Sequence, residues 1–260
     1  MPPTKTAPPR PHQLPLALLA AAAPRLADGM VGRNEAALAS LRQLVQPQPG
    51  LARPDDREPW LLLWGEPGAG KTFWLQAWAH ALEDQRPGLQ VLGSSAGTHD
   101  FAQQAQGPLL LIDDIDQWAG PAQQALFAHL AQQAHLPKGR MQPLVLTSQG
   151  PAARLQGLRE DLRTRLGLAL SFELHRLSEP DMIQAMRQQA HGLGWMAQPQ
   201  QTDYDRLFEY LVTRLPRHLG LLKALMKKVD ERALAEKRSI TLPLVRSLMD
   251  ELLNQTQASL

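Results

Sequence analysis

"GEPGAGKT", residues 65–72, satisfies the spacing G-x-x-x-x-G-K-[ST] and stands between an apolar run, "WLLLW" (60–64), and an amphipathic run that begins at Lys71. The glycines, Gly65, Gly68 and Gly70, let successive backbone N–H groups curl around phosphate oxygens, and a helix starting at Lys71 adds the positive end of its dipole. Lys71 is placed to reach the β- and γ-phosphates, and the Thr72 hydroxyl suits Mg2+. The stretch therefore predicts a strand, a phosphate loop and a helix in succession, with ADP or ATP and Mg2+ as the ligands.

The same alternation continues outward. "LQVLG" (89–93), "PLLLIDDID" (108–116), "PLVLTS" (143–148) and "LALSFEL" (168–174) are short apolar runs separated by segments that include a helix through Phe127. Such runs predict strands buried on both faces, hence an α/β domain with a parallel sheet flanked by helices. Upstream, "VGRNEAALASLRQLV" (31–45) has helical spacing, and "QPQPGLARPDDREP" (46–59) reads as a Pro-rich loop. After Leu177 the strand signal stops. Ser178 is placed to cap a helix that "HGLG" (191–194) ends, and three further helical segments follow within 203–215, 216–238 and 241–253. The expected organisation is an extended arm over 1–28, a nucleotide-binding α/β domain over 29–176 and a small all-helical domain over 177–260.

Composition narrows the function classes. With 260 residues and 43% hydrophobic content the chain can bury a real core. The absence of cysteine excludes disulfides, thiolate metal sites and cysteine nucleophiles. No run approaches the roughly 18–20 apolar residues of a membrane span. A net charge of +2 from nearly balanced totals is weak support for nucleic acid binding.

Several other positions carry chemistry. Asp113 follows the apolar run of "LLLIDDID" and is suited to hold Mg2+ through water, while Asp114 is suited to polarise an attacking water. Asp116 reads as solvated. "PLVLTSQG" ends in Thr147, Ser148 and Gln149, a polar strand tip that in a P-loop sheet faces the γ-phosphate. Arg159, Arg163 and Arg165 precede the last strand. They read either as a solvated face paired with Glu160 and Asp161 or as the source of an arginine finger. Arg217, at a helix start where the dipole disfavours a cation, calls for a phosphate to reach. The eight histidines show no metal spacing, and His129 and His135 fit an exposed face. Trp60, Trp64, Trp74 and Trp78 fit a core better than a base-stacking platform.

P-loop, Asp-Asp strand, polar strand tip, pre-strand arginine and second-domain arginine, in that order, resemble the AAA+ ATPases over roughly 29–253. "VGRN", "LLLIDDID", "LTS", "TRLG" and "ITLPLVRSLMDELL" are most similar to the AAA+ domain of the replication initiator DnaA and to the Hda family, its short paralogues. The resemblance implies Walker A at 65–72, Walker B at Asp113 and Asp114, and adenine neighbours at Val31, Gly32 and Asn34. It implies sensor I at Ser148 and Gln149, a finger at Arg165 and sensor II at Arg217. Gln149 departs from the aspartate common at its position. Initiators carry a DNA-binding helix-turn-helix after the lid. This chain ends at "NQTQASL", so the resemblance favours the Hda family and no direct sequence-specific DNA binding.

Members of that family bind the DNA-loaded sliding clamp of DNA polymerase III through an N-terminal Q-L-x-L-x-L peptide and promote hydrolysis of ATP held by DnaA. Here "QLPLAL" supplies Gln13, Leu14, Leu16 and Leu18. Pro15 discourages a helix there, and an extended segment can place a glutamine in a polar pocket and alternate leucines in an apolar groove. Lys5, Arg10 and the apolar run to Ala23 also superficially fit a secretion signal. A nucleotide-binding AAA+ domain needs cytoplasmic ATP, so the expectation is a cytoplasmic protein without a membrane segment. An in-trans arginine is also compatible with a homo-oligomer. A helicase loader of the DnaC type or another DnaA-related loader, which would not need Gln13, and a DnaA-like module that sequesters a partner without an arginine finger are the competing readings.

Overall fold

The computed structural model describes residues 24–47, 58–195, 203–215 and 219–258. They divide into two compact units, one running to Arg176 and one from Leu177.

The first unit is built on five parallel strands: β1 (Trp60–Trp64), β2 (Val91–Leu92), β3 (Leu110–Ile112), β4 (Leu144–Ser148) and β5 (Leu170–Glu173). Their order across the sheet is β2-β3-β4-β1-β5. Around them run α1 (Glu35–Val45), α2 (Lys71–Ala81), α3 (Thr98–Gln104), α4 (Gly120–Gln133) and α5 (Glu160–Leu166). Side chains alternate across a strand, and both faces of the sheet centre are covered. Leu62, Leu110, Ile112, Leu144 and Leu146 pack with Leu126, Leu130 and Leu162 from α4 and α5. Leu61, Leu63, Leu111 and Val145 pack with Leu41 and Val45 of α1 and with Leu75 and Trp78 of α2. Trp60, Trp74 and Trp78 are buried in this unit and Trp64 is half-buried, so the tryptophans belong to packing.

Burial on both faces, expected of every strand, fails at β5. This edge strand borders only β1, and its Ser171 and Glu173 are exposed. The apolar letters of "LALSFEL" mark its flanks: Ala169 and Leu174 are buried, while the strand itself alternates.

Register places the chemistry. Trp64 pairs with Ser148 across β1 and β4, and with Glu173 across β1 and β5. Ile112 pairs with Leu146, which brings Asp113, the next residue, beside Thr147. The loop after β1, the carboxylates after β3 and the tip of β4 therefore emerge at one edge, where ligands of open α/β sheets bind.

The second unit consists of α6 (Glu179–Gly192), α7 (Tyr204–Arg214), α8 (Leu219–Glu236) and α9 (Leu242–Ala258). Ser178 caps α6: its hydroxyl oxygen accepts from the Asp181 N–H, and the Asp181 carboxylate accepts from the Ser178 N–H, a reciprocal capping box. Met186, Phe208, Leu222, Leu225 and Met226 form a fully buried core. The Trp195 indole donates to Asp230 Oδ1 at 2.9 Å and ties the end of the α6 segment to α8.

Candidate nucleotide site

The loop between β1 and α2 needs its glycines for three different reasons. Gly68 and Gly70 sit at φ +87° and +90°, in the left-handed region that favours glycine. Gly65 is held so close to the strand beside it that an added Cβ would lie 2.3 Å from the Leu174 carbonyl oxygen. Gly70 is also the N-cap of α2 and leaves Lys71 as the first helical residue. Lys71 is buried, and its ammonium donates to the Gly65 carbonyl at 2.7 Å and the Glu66 carbonyl at 3.3 Å. Thr72, one position on, is exposed. Glu66 pairs with Arg176 at 3.3 Å, and both partners are largely exposed.

Opposite the loop, one buried hydroxyl organises the carboxylates. Thr147 Oγ1 donates to Asp113 Oδ1 and accepts from the Asp114 N–H at 2.8 Å. Asp114 thereby holds a left-handed backbone, φ +47° and ψ +55°. Burial pushes the Asp114 carboxyl above the ordinary aspartate range; Asp113 and Asp116 add repulsion, and the nearby Lys71 charge opposes it. Asp116, expected to be solvated, is half-buried and accepts from the Gln149 N–H at 3.3 Å. Ser148 is fully buried and its hydroxyl donates to the Gly150 carbonyl at 2.7 Å, whereas Gln149 is exposed.

The Asp114 shift has a sign that can be tested. A carboxyl whose folded value lies above its unfolded value favours the fold fully below the unfolded value, and that contribution disappears as pH rises through the folded value. At neutral pH the ionised Asp114 is therefore a liability for stability. Asparagine keeps the shape and tolerates the left-handed region. Asp114→Asn is expected to raise the thermal midpoint at neutral pH, with the gain shrinking as pH falls through the carboxylate range. A lower midpoint at neutral pH would contradict this assignment.

Asn34 is buried and fully used by the backbone: its amide donates to the His175 carbonyl at 2.9 Å and accepts from the His175 N–H at 2.8 Å. It fastens the turn at Val31 and Gly32 to the exit of β5, while Val31 and Gly32 themselves are exposed. The arginine segment forms α5, a helix that the letters alone did not announce. Arg159 is its N-cap residue and pairs with Asp161 through two hydrogen bonds, 2.8 and 3.2 Å. Gln123 of α4 reaches across to pin this end: its amide donates to the Trp118 and Gly157 carbonyls and accepts from the Arg159 N–H at 3.0 Å. Trp118 in turn donates to the Asp113 carbonyl, so hydrogen bonds run from the carboxylate strand to the arginine helix. Arg165 lies in the last turn of α5, half-buried, with no ion pair among the described residues.

His129 corrects a second expectation of exposure. It is half-buried, its Nε2 lies 2.7 Å from Gln142 Oε1, and its ring meets Phe101 edge-on. Burial lowers its pKa against the pull of that hydrogen bond. His135 is exposed.

The family model described as "Hda, lid domain" matches residues 179–249, the greater part of the helical unit. Domain III of the Thermotoga maritima initiator DnaA superposes with a TM-score of 0.63 over 93% of this chain and 99% of that one, at 17% identity. The helical unit is thus similar to the Hda lid, and the chain shares the AAA+ fold of DnaA domain III. Another similar structure is AMPPCP-bound DnaA from Aquifex aeolicus, with a TM-score of 0.57 and 18% identity over 79% of this chain and 64% of that one. Among curated sequences it is 24% identical over 200 residues to an uncharacterized protein of Haemophilus influenzae, covering 75% of this chain and 84% of that one. It is 25% identical over 209 residues to the chromosomal replication initiator protein DnaA of Clavibacter sepedonicus, covering 74% of this chain but only 42% of the initiator.

Four expected contacts, Gln13, Leu14, Leu16 and Leu18, lie outside the described residues, as does Arg217. The loop positions 48–57 are outside them too. Sequence reasoning missed Thr147 as the contact to Asp113, Gln123 as the brace of α5, and the commitment of Asn34 to His175. Thr147 alone had a signal, a hydroxyl at the end of an apolar strand.

Proposed function

We propose that this chain is a nucleotide-bound adaptor that restrains replication initiation: it docks on the DNA-loaded sliding clamp and offers Arg165 to ATP held by DnaA. The observation that carries the reading is Arg165 itself, a half-buried arginine at a helix end with no ion pair among the described residues, in a chain whose helical unit matches the Hda lid. A helix C-terminus favours a cation, and a guanidinium left unpaired there is available to a phosphate of another molecule.

The loop fits a nucleotide. Its left-handed glycines open backbone donors, Lys71 already holds its ammonium among loop carbonyls, and the Asp114 carboxyl feels the Lys71 charge. The donor set also fits Mg2+, a hard ion that takes one or two protein oxygens and completes its shell with water and phosphate. Thr72 Oγ1 and the Asp113 carboxylate would hold it; the ion would neutralise phosphate charge. AMPPCP in the similar Aquifex aeolicus structure supports a nucleoside triphosphate or diphosphate as the ligand class here. Lys71 would bind the phosphates, Asp114 would orient water, and Asn34 holds the turn of Val31 and Gly32 that would border the base. Ser148, fully buried with its hydroxyl given to the Gly150 carbonyl, is left out of the phosphate contacts. The same arginine would suit the nucleotide of a second copy of this chain.

In this reading Gln13 anchors the arm in a polar pocket of the clamp while Leu14, Leu16 and Leu18 fill an apolar groove. A central anchor of a short peptide is worth about 2 kcal/mol or more, so Gln13→Ala is expected to weaken clamp binding by about 30-fold or more. The measurement is retention of purified clamp by immobilised chain, with nucleotide affinity followed in parallel and expected to stay unchanged. Clamp retention equal to that of the parent chain would remove the arm from the account. It would favour the loader reading, in which the ATP cycle acts on helicase or single-stranded DNA.

A further inference from the structure

The polar tip of β4 contains three side chains, and only one of them touches the carboxylate pair. Ser148 turns its hydroxyl to the Gly150 carbonyl, within its own loop. Gln149 is exposed and contributes its backbone N–H to Asp116. Thr147 is completely buried, and its hydroxyl works in both directions, donating to Asp113 Oδ1 and accepting from the Asp114 N–H at 2.8 Å.

We propose that Thr147 is the positioning residue of this site, fixing the Asp113 carboxylate for the cation and holding the Asp114 turn with the same hydroxyl. The proposal rests on the nucleotide and Mg2+ reading given above. A threonine hydroxyl has a single proton, and here it is committed to Oδ1. The other carboxylate oxygen, Oδ2, has no partner among the described residues and is the one left to meet a hydrated ion. A β-branched side chain is stiff about χ1. Thr147 lies in the strand that pairs with β1 on one side and β3 on the other, so its hydroxyl has a fixed place between them. The left-handed backbone of Asp114 is unusual for a residue other than glycine, and the Asp114 N–H bond to Thr147 holds it. One hydroxyl thus sets both the rotation of the metal-binding carboxylate and the direction in which its neighbour leaves the strand. Thr147 acts through Asp113 and Asp114 and touches neither nucleotide nor ion.

The test is the affinity of the full chain for AMPPCP, measured by calorimetry with Mg2+ and again with EDTA, in the parent and in Thr147→Val and Thr147→Ser. Valine keeps the shape and removes the hydroxyl; serine keeps the hydroxyl. Partners that orient a metal ligand commonly contribute about 10- to 100-fold to metal affinity. Thr147→Val is therefore expected to cut the Mg2+-dependent gain in affinity by about 10-fold or more while leaving the EDTA value unchanged. Thr147→Ser is expected to restore most of the gain. A merely structural residue would lower both affinities together and would not distinguish valine from serine. If valine retains the parent's Mg2+ gain, or serine loses as much as valine, the assignment of Thr147 is overturned and the nucleotide site stands. If the parent chain does not bind AMPPCP at all, the site reading falls and takes this one with it. Should Thr147→Val not fold, Thr147→Ala provides the same comparison against serine.

Discussion

Arg165→Ala is expected to abolish stimulation of DnaA-bound ATP hydrolysis, a loss of about 1,000-fold or more, because an arginine supplied in trans stabilises charge that develops only in the transition state. Three features make this arginine available, Arg163 shares the last two of them, and the resemblance carried by "TRLG" decides for Arg165. Arg159 of the same helix is bound to Asp161 and serves the helix start. Arg165 is in the last turn, where the dipole favours a cation, and has no ion pair among the described residues. The helix is held at its other end by Gln123, so Arg165 stands on a braced element. The variant should bind nucleotide and clamp as the parent does, since Arg165 belongs to neither interface in this account. The check is release of labelled phosphate from preloaded DnaA with loaded clamp present. Equal rates for parent and variant would reject the role and pass it to Arg163.

The second large effect is at Lys71. Lys71→Ala removes a buried ammonium whose two carbonyl contacts, at 2.7 and 3.3 Å, hold it inside the loop. Truncating one member of a buried hydrogen-bonded charge pair costs about 2–5 kcal/mol, which corresponds to at least about 30-fold in affinity. ADP and ATP binding are expected to weaken by that factor or more, measured by calorimetry or by displacement of a fluorescent nucleotide. Unaltered affinity would contradict the assignment of the loop.

The parts of this site that the sequence made legible are those whose physics is local. A phosphate loop needs glycines, a lysine and a helix start in eight consecutive positions, so "GEPGAGKT" carries its own context. The alternation of strands with helices followed from apolar runs, and the sheet centre agrees with it. What stayed hidden depends on partners far away in the chain. Asn34 meets His175 across 141 positions and Thr147 meets Asp113 across 34. No spacing rule connects such pairs, which exist only once β3, β4 and β5 lie in their places. His129 and Asp116 were misread for the same reason: each was judged by its own neighbours in sequence, while Gln142 and the Gln149 backbone supply the partners. The edge strand β5 shows a different limit, since a run of apolar letters does not say how many strands will flank it.

The central claim, that this chain accelerates the loss of DnaA-bound ATP only where the clamp is loaded, is tested most directly in a reconstituted reaction. It contains purified DnaA loaded with labelled ATP, clamp on primed DNA, and the chain, with each component omitted in turn. The account predicts rapid hydrolysis only when all are present, and none when Gln13→Ala or Arg165→Ala replaces the parent. Hydrolysis that the chain leaves unchanged, or accelerates equally without clamp, would contradict it.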